Sequence, residues 1–329
     1  MTKWQEKLKG DPTPWLVESN AWTVYRTLID VLEMPPMSNE VITAKNALNN
    51  DPSIKSIISK ASEWFPQSIT RHNDPKICYY QLRMLADFGL TIQNKYIHEI
   101  TDKVMQHSEE GLFTTRQVLP DKGKGFSKPD PNADEWHALP CDSPLITYSL
   151  LRLGLNSNMV KKSVDTIKEK WASKPGWFCH FFFVESQFKK IQVGCPMAGL
   201  IALEVFSQIP ELKESVYAQN AFAPLKFHRE HGKSVYYFGR SKKFWTLKYP
   251  FVWYNALYLA DVLTRFEFLK GDELVGELIE WIENSQDKDG RFKPNSMFMV
   301  YKGWDFANKK EPSPWITFLC CRILKRWYG

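Results

Sequence analysis

The chain has 329 residues, enough to bury a large core in one domain or two, and its 43% hydrophobic and 24% charged residues are an ordinary globular balance. The formal charge of +6 is spread over short pairs such as Lys161-Lys162, Lys242-Lys243 and Lys309-Lys310 with no recognisable reading module, so no nucleic-acid partner is expected. No apolar run reaches the length of a membrane span, so no transmembrane segment is expected either.

In chain order, a first, divergent helical unit runs from Pro14-Trp15 to Leu32. Five later segments then share one signature: a polar or aromatic loop, a proline and an apolar helix. They are HNDPKICYYQLRMLADFGL from His72, CDSPLITYSLLRLGL from Cys141, GCPMAGLIALEVF from Gly194, KYPFVWYNALYLADVL from Lys248 and EPSPWITFLCCRILKRW from Glu311. Their prolines are Pro75, Pro144, Pro196, Pro250 and Pro314, spaced by 69, 52, 54 and 64 residues. Proline suits a first helical turn, where its missing N–H has no helical partner, so helices are expected to begin near these positions.

Each of these helices is apolar around most of its circumference and should be covered on several sides. Between them lie helices of a second kind. Val160, Val164, Ile167 and Trp171 recur at helical spacing among Lys161, Lys162, Lys168 and Lys170, and Leu274, Leu278 and Ile282 repeat the pattern. These helices should bury one stripe and solvate the other face. Alternation of the two kinds predicts an all-α fold of about five to six helical hairpins, with inner and outer layers. Closing the row into an α/α toroid would hide the apolar flanks of the first and last units. The stretch 120–140, rich in Pro, Gly, Asp and Lys, reads as a long loop within a single domain spanning 1–329.

After the fourth unit the chain reads Trp281-Ile282-Glu283-Asn284-Ser285-Gln286-Asp287-Lys288-Asp289-Gly290-Arg291-Phe292. This resembles the QW motif of the terpenoid cyclase and protein prenyltransferase superfamily, with Phe292 in place of the final Trp. Gly111-Leu112-Phe113 and Gly176-Trp177-Phe178 are weaker echoes. The resemblance implies the toroid fold, with structural roles for Gln286 and Gly290, and Gly290 is expected just after an outer helix with positive φ. It also implies a central cavity that binds or transforms an apolar, isoprenoid-like substrate. The acidic DxDD motif of the cyclases is absent, and Cys141-Asp142 does not reproduce the Asp-x-Cys spacing of the prenyltransferase zinc site. No catalytic assignment is therefore carried over.

The candidate chemistry lies in loops leading into the apolar helices, where helix N-termini favour anions. Asp134, Glu135, His137 and Asp142 form the candidate acid–base set, because a carboxylate beside His137 can orient it as a base. Trp136, Trp245, Lys248, Tyr249, Trp253, Trp304 and Asp305 are candidate ligand-binding residues, offering aromatic surface and one positive charge for a small apolar or anionic ligand. Two alternatives stay open: a carbohydrate-active toroid that pairs Asp134 or Glu135 with Asp305, and a non-catalytic binding scaffold. Cys141, Cys195 and His137 raise the question of zinc, but their spacing matches no metal signature, and no metal or cofactor is assigned. The segment after Met1 is polar, and the six cysteines form no CxxC pair, which suits reduced thiols in a cytoplasmic protein.

Overall fold

The computed structural model describes residues 2–117, 134–174, 176–178, 193–231 and 238–329, so 120–133 of the expected long loop lie outside the described residues. The fold is all-helical with extensive helix–helix packing. In chain order the main helices are α1 (Ala21–Arg26), α2 (Asn39–Asn50), α3 (Pro52–Ser62), α4 (Cys78–Phe88), α5 (Lys95–Met105), α6 (Asp142–Arg152) and α7 (Asn158–Lys170). They continue with α8 (Pro196–Phe206), α9 (Val216–His231), α10 (Ala256–Leu263), α11 (Glu273–Asn284) and α12 (Pro314–Tyr328). Among the described residues between α5 and α6 lie four two-residue strands: β1 (Ser108–Glu109) pairs with β2 (Leu112–Phe113), and β3 (Thr115–Arg116) pairs with β4 (Trp136–His137), both antiparallel.

The expected alternation of helix types holds. Every residue of α4, α8 and α10 is buried, as is α12 from Trp315 to Leu324. By contrast, α5, α7 and α11 bury single stripes: Ile97, Ile100 and Val104 in α5, Val160, Val164 and Ile167 in α7, and Leu274, Leu278 and Ile282 in α11. The prolines mark starts unevenly. Pro196 and Pro314 are the first residues of α8 and α12, and Pro144 is the third of α6. α4 begins three residues after Pro75, because Asp74 accepts from the Lys76 N–H and closes a turn first. α10 begins six residues after Pro250, where the Asn255 side chain accepts from the Tyr258 N–H and caps the helix.

By contact density the chain falls into two compact units: Met1–Lys55 together with Gly232–Gly329, and Ser56–His231. In the second unit α4 packs on α6 and α6 on α8, while α7 and α9 pack on α6 and α8. In the first unit α10 packs on α11 and on α12, and α12 packs on α1. Buried charges tie the apolar helices of each unit together. Arg83 on α4 pairs with Glu204 on α8 and lies 3.4 Å from Asp87, which also accepts from the Tyr148 hydroxyl of α6 at 3.3 Å. Asp261 on α10 accepts from Arg322 at 2.7 Å and Arg326 at 3.0 Å, both on α12. Removing either partner of such a pair would strand a buried charge.

The QW-like turn is a structural fastening. Gln286 accepts from the Lys9 N–H at 2.7 Å and donates to the carbonyls of Lys7 at 3.0 Å and Glu283 at 2.8 Å. Gly290 has φ +72°, and a Cβ there would meet the Gly10 carbonyl oxygen at 2.2 Å. The echoes behave alike. Gly111 and Gly176 have φ +85° and +88°, and a Cβ would meet Thr166 Oγ1 at 2.7 Å or the Trp171 ring at 2.3 Å. The backbone region favours glycine at all three turns, and at Gly290 the close approach of the Gly10 carbonyl requires it as well.

Candidate metal centre

α6 opens with Cys141 at its N-cap and Asp142 at its first position, so both side chains sit where helix and loop meet. α4 runs beside α6, and the loop leading into α4 therefore reaches the same place. That loop carries His72, and the Tyr80 hydroxyl of α4 donates to the His72 carbonyl at 2.7 Å and fixes it. His72 Nδ1 lies 3.3 Å from Asp142 Oδ1, and Cys141 Sγ lies 3.4 Å from the same oxygen. The three ligating atoms lie within 4.8 Å of one another. The Asp142 side chain is 3% exposed and that of His72 23%, so the carboxylate is buried while His72 and Cys141 are half-buried.

Two further side chains hold the carboxylate. The Tyr79 hydroxyl donates to Oδ1 at 3.3 Å, and the Thr115 hydroxyl of β3 donates to Oδ2 at 3.0 Å. Gln117 Nε2 in turn donates to Thr115 Oγ1 at 2.8 Å. Burial works to raise the Asp142 pKa, but the His72 imidazole and the hydrogen bonds from His72, Thr115 and Cys141 outweigh it and lower the value. Burial likewise works to lower the His72 pKa, and the Asp142 carboxylate reverses that and raises it. Burial, and then the Asp142 charge, push the Tyr79 and Tyr80 phenols well up, so both keep the protons they donate.

This donor set can be tested against a metal ion. Thiolate, imidazole and carboxylate are the three ligand types zinc takes, and three protein ligands leave a tetrahedral ion one further position. Zinc bonds of about 2.1 Å to N and O and about 2.3 Å to S, at tetrahedral angles, set N···O edges of about 3.4 Å and S···O edges of about 3.6 Å. The observed 3.3 Å and 3.4 Å lie close to these edges. Without an ion, the same two contacts are long hydrogen bonds to the carboxylate. The order of groups also differs from a thiol–imidazole–carboxylate triad, in which the imidazole stands between the other two. Here the carboxylate oxygen stands between imidazole and thiol. The donor types and these two edges are compatible with a divalent metal, for which Thr115 would be the outer partner that orients the carboxylate through its second oxygen.

Of the residues proposed from sequence, Asp142 is at this centre. His137 sits on β4 directly opposite Thr115, and its Nε2 lies 3.4 Å from a Glu135 carboxylate oxygen. Asp134 is exposed, accepts from the Trp136 indole at 3.1 Å and lies 3.5 Å from Arg116. Trp136 stacks on His107 with centroids 3.6 Å apart and stands edge-on to Phe65 at 5.7 Å. Phe65 lies 6.1 Å from Tyr79, so a packed aromatic cluster adjoins the centre. Cys195 is buried at the start of α8, and burial pushes its thiol up to about 11. Neither Cys195 nor His137 belongs to the ligand group found among the described residues.

The remaining candidates all belong to the first unit. Lys248 places its ammonium 3.5 Å from the Phe298 ring centroid, and burial lowers its pKa. Tyr249 is fully buried between Phe251, Phe306 and Trp315. The Trp245 indole donates to the Gly239 carbonyl, Trp253 lies 5.3 Å from Tyr254, and Trp304 lies 4.9 Å from Trp22. Asp305 Oδ2 accepts from the Ser313 hydroxyl at 2.6 Å and the Trp315 N–H at 2.9 Å, at the start of α12, and burial raises its pKa.

Sequence reasoning placed His72 among the loop residues but did not single it out. The available signal was its place before Pro75, matching that of Cys141 before Pro144. Thr115, Gln117 and Tyr79 carried no such signal. Neither a protein-family model nor a curated protein matches the chain.

Proposed function

We propose that the chain is a metal-dependent α/α toroid protein in which His72, Cys141 and Asp142 hold a zinc ion, with one coordination position left for a small ligand or substrate. The observation that carries this reading is the sharing of Asp142 Oδ1 between His72 Nδ1 and Cys141 Sγ at tetrahedral-edge distances. When bound, such an ion supplies a Lewis acid that polarises or deprotonates the group in its open position. The chain's own residues do the positioning. Thr115 and Tyr79 aim the carboxylate, Tyr80 fixes the backbone of His72, and Trp136, half-buried against Phe65, offers an apolar flank to the rest of the ligand. The resemblance to the terpenoid cyclase and prenyltransferase superfamily supports an apolar substrate on that flank. Alternating buried and one-sided helices, and the packing of α12 on α1, support the closed toroid.

The test is metal analysis of the purified protein, followed by cobalt substitution. Stoichiometric zinc, and a cobalt spectrum whose thiolate charge-transfer band disappears in Cys141→Ala, are expected. Absence of retained zinc together with cobalt affinity no better than about millimolar would overturn the reading.

A further inference from the structure

Two loops of the first unit, 239–248 and 293–312, share a surface. Asn295 joins them: its side-chain oxygen accepts from the Leu247 N–H at 2.9 Å, and its amide donates to the Trp245 carbonyl at 3.2 Å. Lys248 crosses the junction, with its ammonium 3.5 Å from the Phe298 ring centroid. The second loop is closed at its base, where the Ser313 N–H donates to the Phe292 carbonyl at 2.9 Å. Together the two loops hold eight Lys and Arg residues against two carboxylates, a net +6 that equals the formal charge of the whole chain. Of those carboxylates, Asp305 is turned inward and accepts from Ser313 and Trp315. Lys242, Lys243, Lys293 and Lys302 are exposed, and burial lowers the Lys248 pKa with no carboxylate offsetting it. Positive charge that is dispersed along the sequence is thus gathered by folding. The second loop also reads Met297-Phe298-Met299-Val300, four apolar residues in a row. A tight turn over Met299–Tyr301 buries Tyr301 and leaves Met299 66% and Val300 40% exposed. A single exposed apolar side chain needs no explanation, but such a run between lysines does.

We propose that these two loops form a docking surface for an anionic lipid bilayer, with Met299 and Val300 entering its interfacial layer and the surrounding lysines holding its headgroups. The occupant follows from the coincidence of charge and apolar tip. Lysine stems lie along an interface while their ammoniums reach lipid phosphates and carboxylates, and each such contact adds to the attraction. A duplex nucleic acid would engage the lysines but leave Met299 and Val300 in water. A bilayer takes up both, because its anionic surface lies directly over an apolar layer. The hydrogen bonds of Asn295 keep the tip and the basic loop on one rigid base, so neither has to be ordered on contact.

The test is co-sedimentation of the full chain with vesicles of phosphatidylcholine alone and of phosphatidylcholine with about 30% phosphatidylserine. Binding to the anionic vesicles, little binding to the neutral ones, and release as salt is raised are expected. Met299→Ser with Val300→Ser, which leaves the charge unchanged, should weaken binding about tenfold. Lys242→Gln with Lys243→Gln should weaken it about 25-fold. All four side chains are exposed, so both variants should melt as the wild type does. Lys161→Gln with Lys162→Gln removes the same charge from α7 of the second unit and should change affinity less than about twofold. No binding to anionic vesicles, or equal binding to both kinds, would overturn the proposal. So would wild-type affinity in the Met299→Ser, Val300→Ser protein, or an equal loss in the α7 variant. Preference for a short DNA duplex over the anionic vesicles, unchanged by the two serines, would assign the surface to nucleic acid instead.

Discussion

Gly290→Ala tests whether the QW-like turn is held by a close backbone contact or only by its dihedral. An alanine would keep φ +72°, a region that costs an L-residue about 1–2 kcal/mol. Its Cβ would also stand 2.2 Å from the oxygen and 3.0 Å from the carbon of the Gly10 carbonyl. Both are backbone atoms, and the segment that carries them is anchored by the Gln286 bonds to Lys7 and Lys9, so relief requires main-chain displacement. Overpacking of this kind adds about 1–3 kcal/mol, for a total of about 2–5 kcal/mol. Gly271 is the internal control: its φ is +89°, but a Cβ there meets nothing within 4 Å. Gly271→Ala should therefore cost only the backbone part. At about 2–4 °C per kcal/mol, calorimetry should show a Tm drop of at least about 4 °C for Gly290→Ala and a clearly smaller one for Gly271→Ala. Equal drops would refute the close-contact argument and leave only the dihedral.

Three other outcomes follow from the buried polar groups. Thr115→Val should weaken metal affinity by about 10–100-fold with little change in Tm, read by chelator competition, because it releases Oδ2 of Asp142 without removing a ligand. Arg83→Met should cost about 3–5 kcal/mol in chemical denaturation by stranding Glu204 and Asp87, whereas Arg83→Met with Glu204→Leu should recover only part of the loss, because Asp87 remains without its cation. Asp261 should make the first unit acid-sensitive. Burial works to raise its pKa, but Arg322, Arg265 and Arg326 hold it well below the ordinary carboxylate range. Its folded value is below its unfolded one, so its contribution is complete above about pH 4 and is lost as pH falls further. Denaturation between pH 5 and pH 2 should show a shallower stability loss in Asp261→Asn than in the wild type.

Helix type was legible from sequence because burial periodicity is local. The spacing of Val160, Val164 and Ile167 marks a one-sided helix, and the unbroken apolar run from Pro196 to Phe206, in which only Glu204 is charged, marks a buried one, whatever they pack against. The positive φ of Gly290 was legible for the same reason, since turn chemistry is written over a few residues. The candidate metal centre was not. Asp142 was proposed together with His137, five residues away, because chain proximity was the only guide. His137 does stand beside Glu135, one of the carboxylates grouped with it, and pairing of β3 with β4 sets it opposite Thr115, while packing of α4 on α6 brings His72 to Asp142 from seventy positions away. A ligand set depends on which loops share an end of neighbouring helices, to within an ångström. That distance is decided by side-chain packing between helices, which no spacing along a single chain encodes.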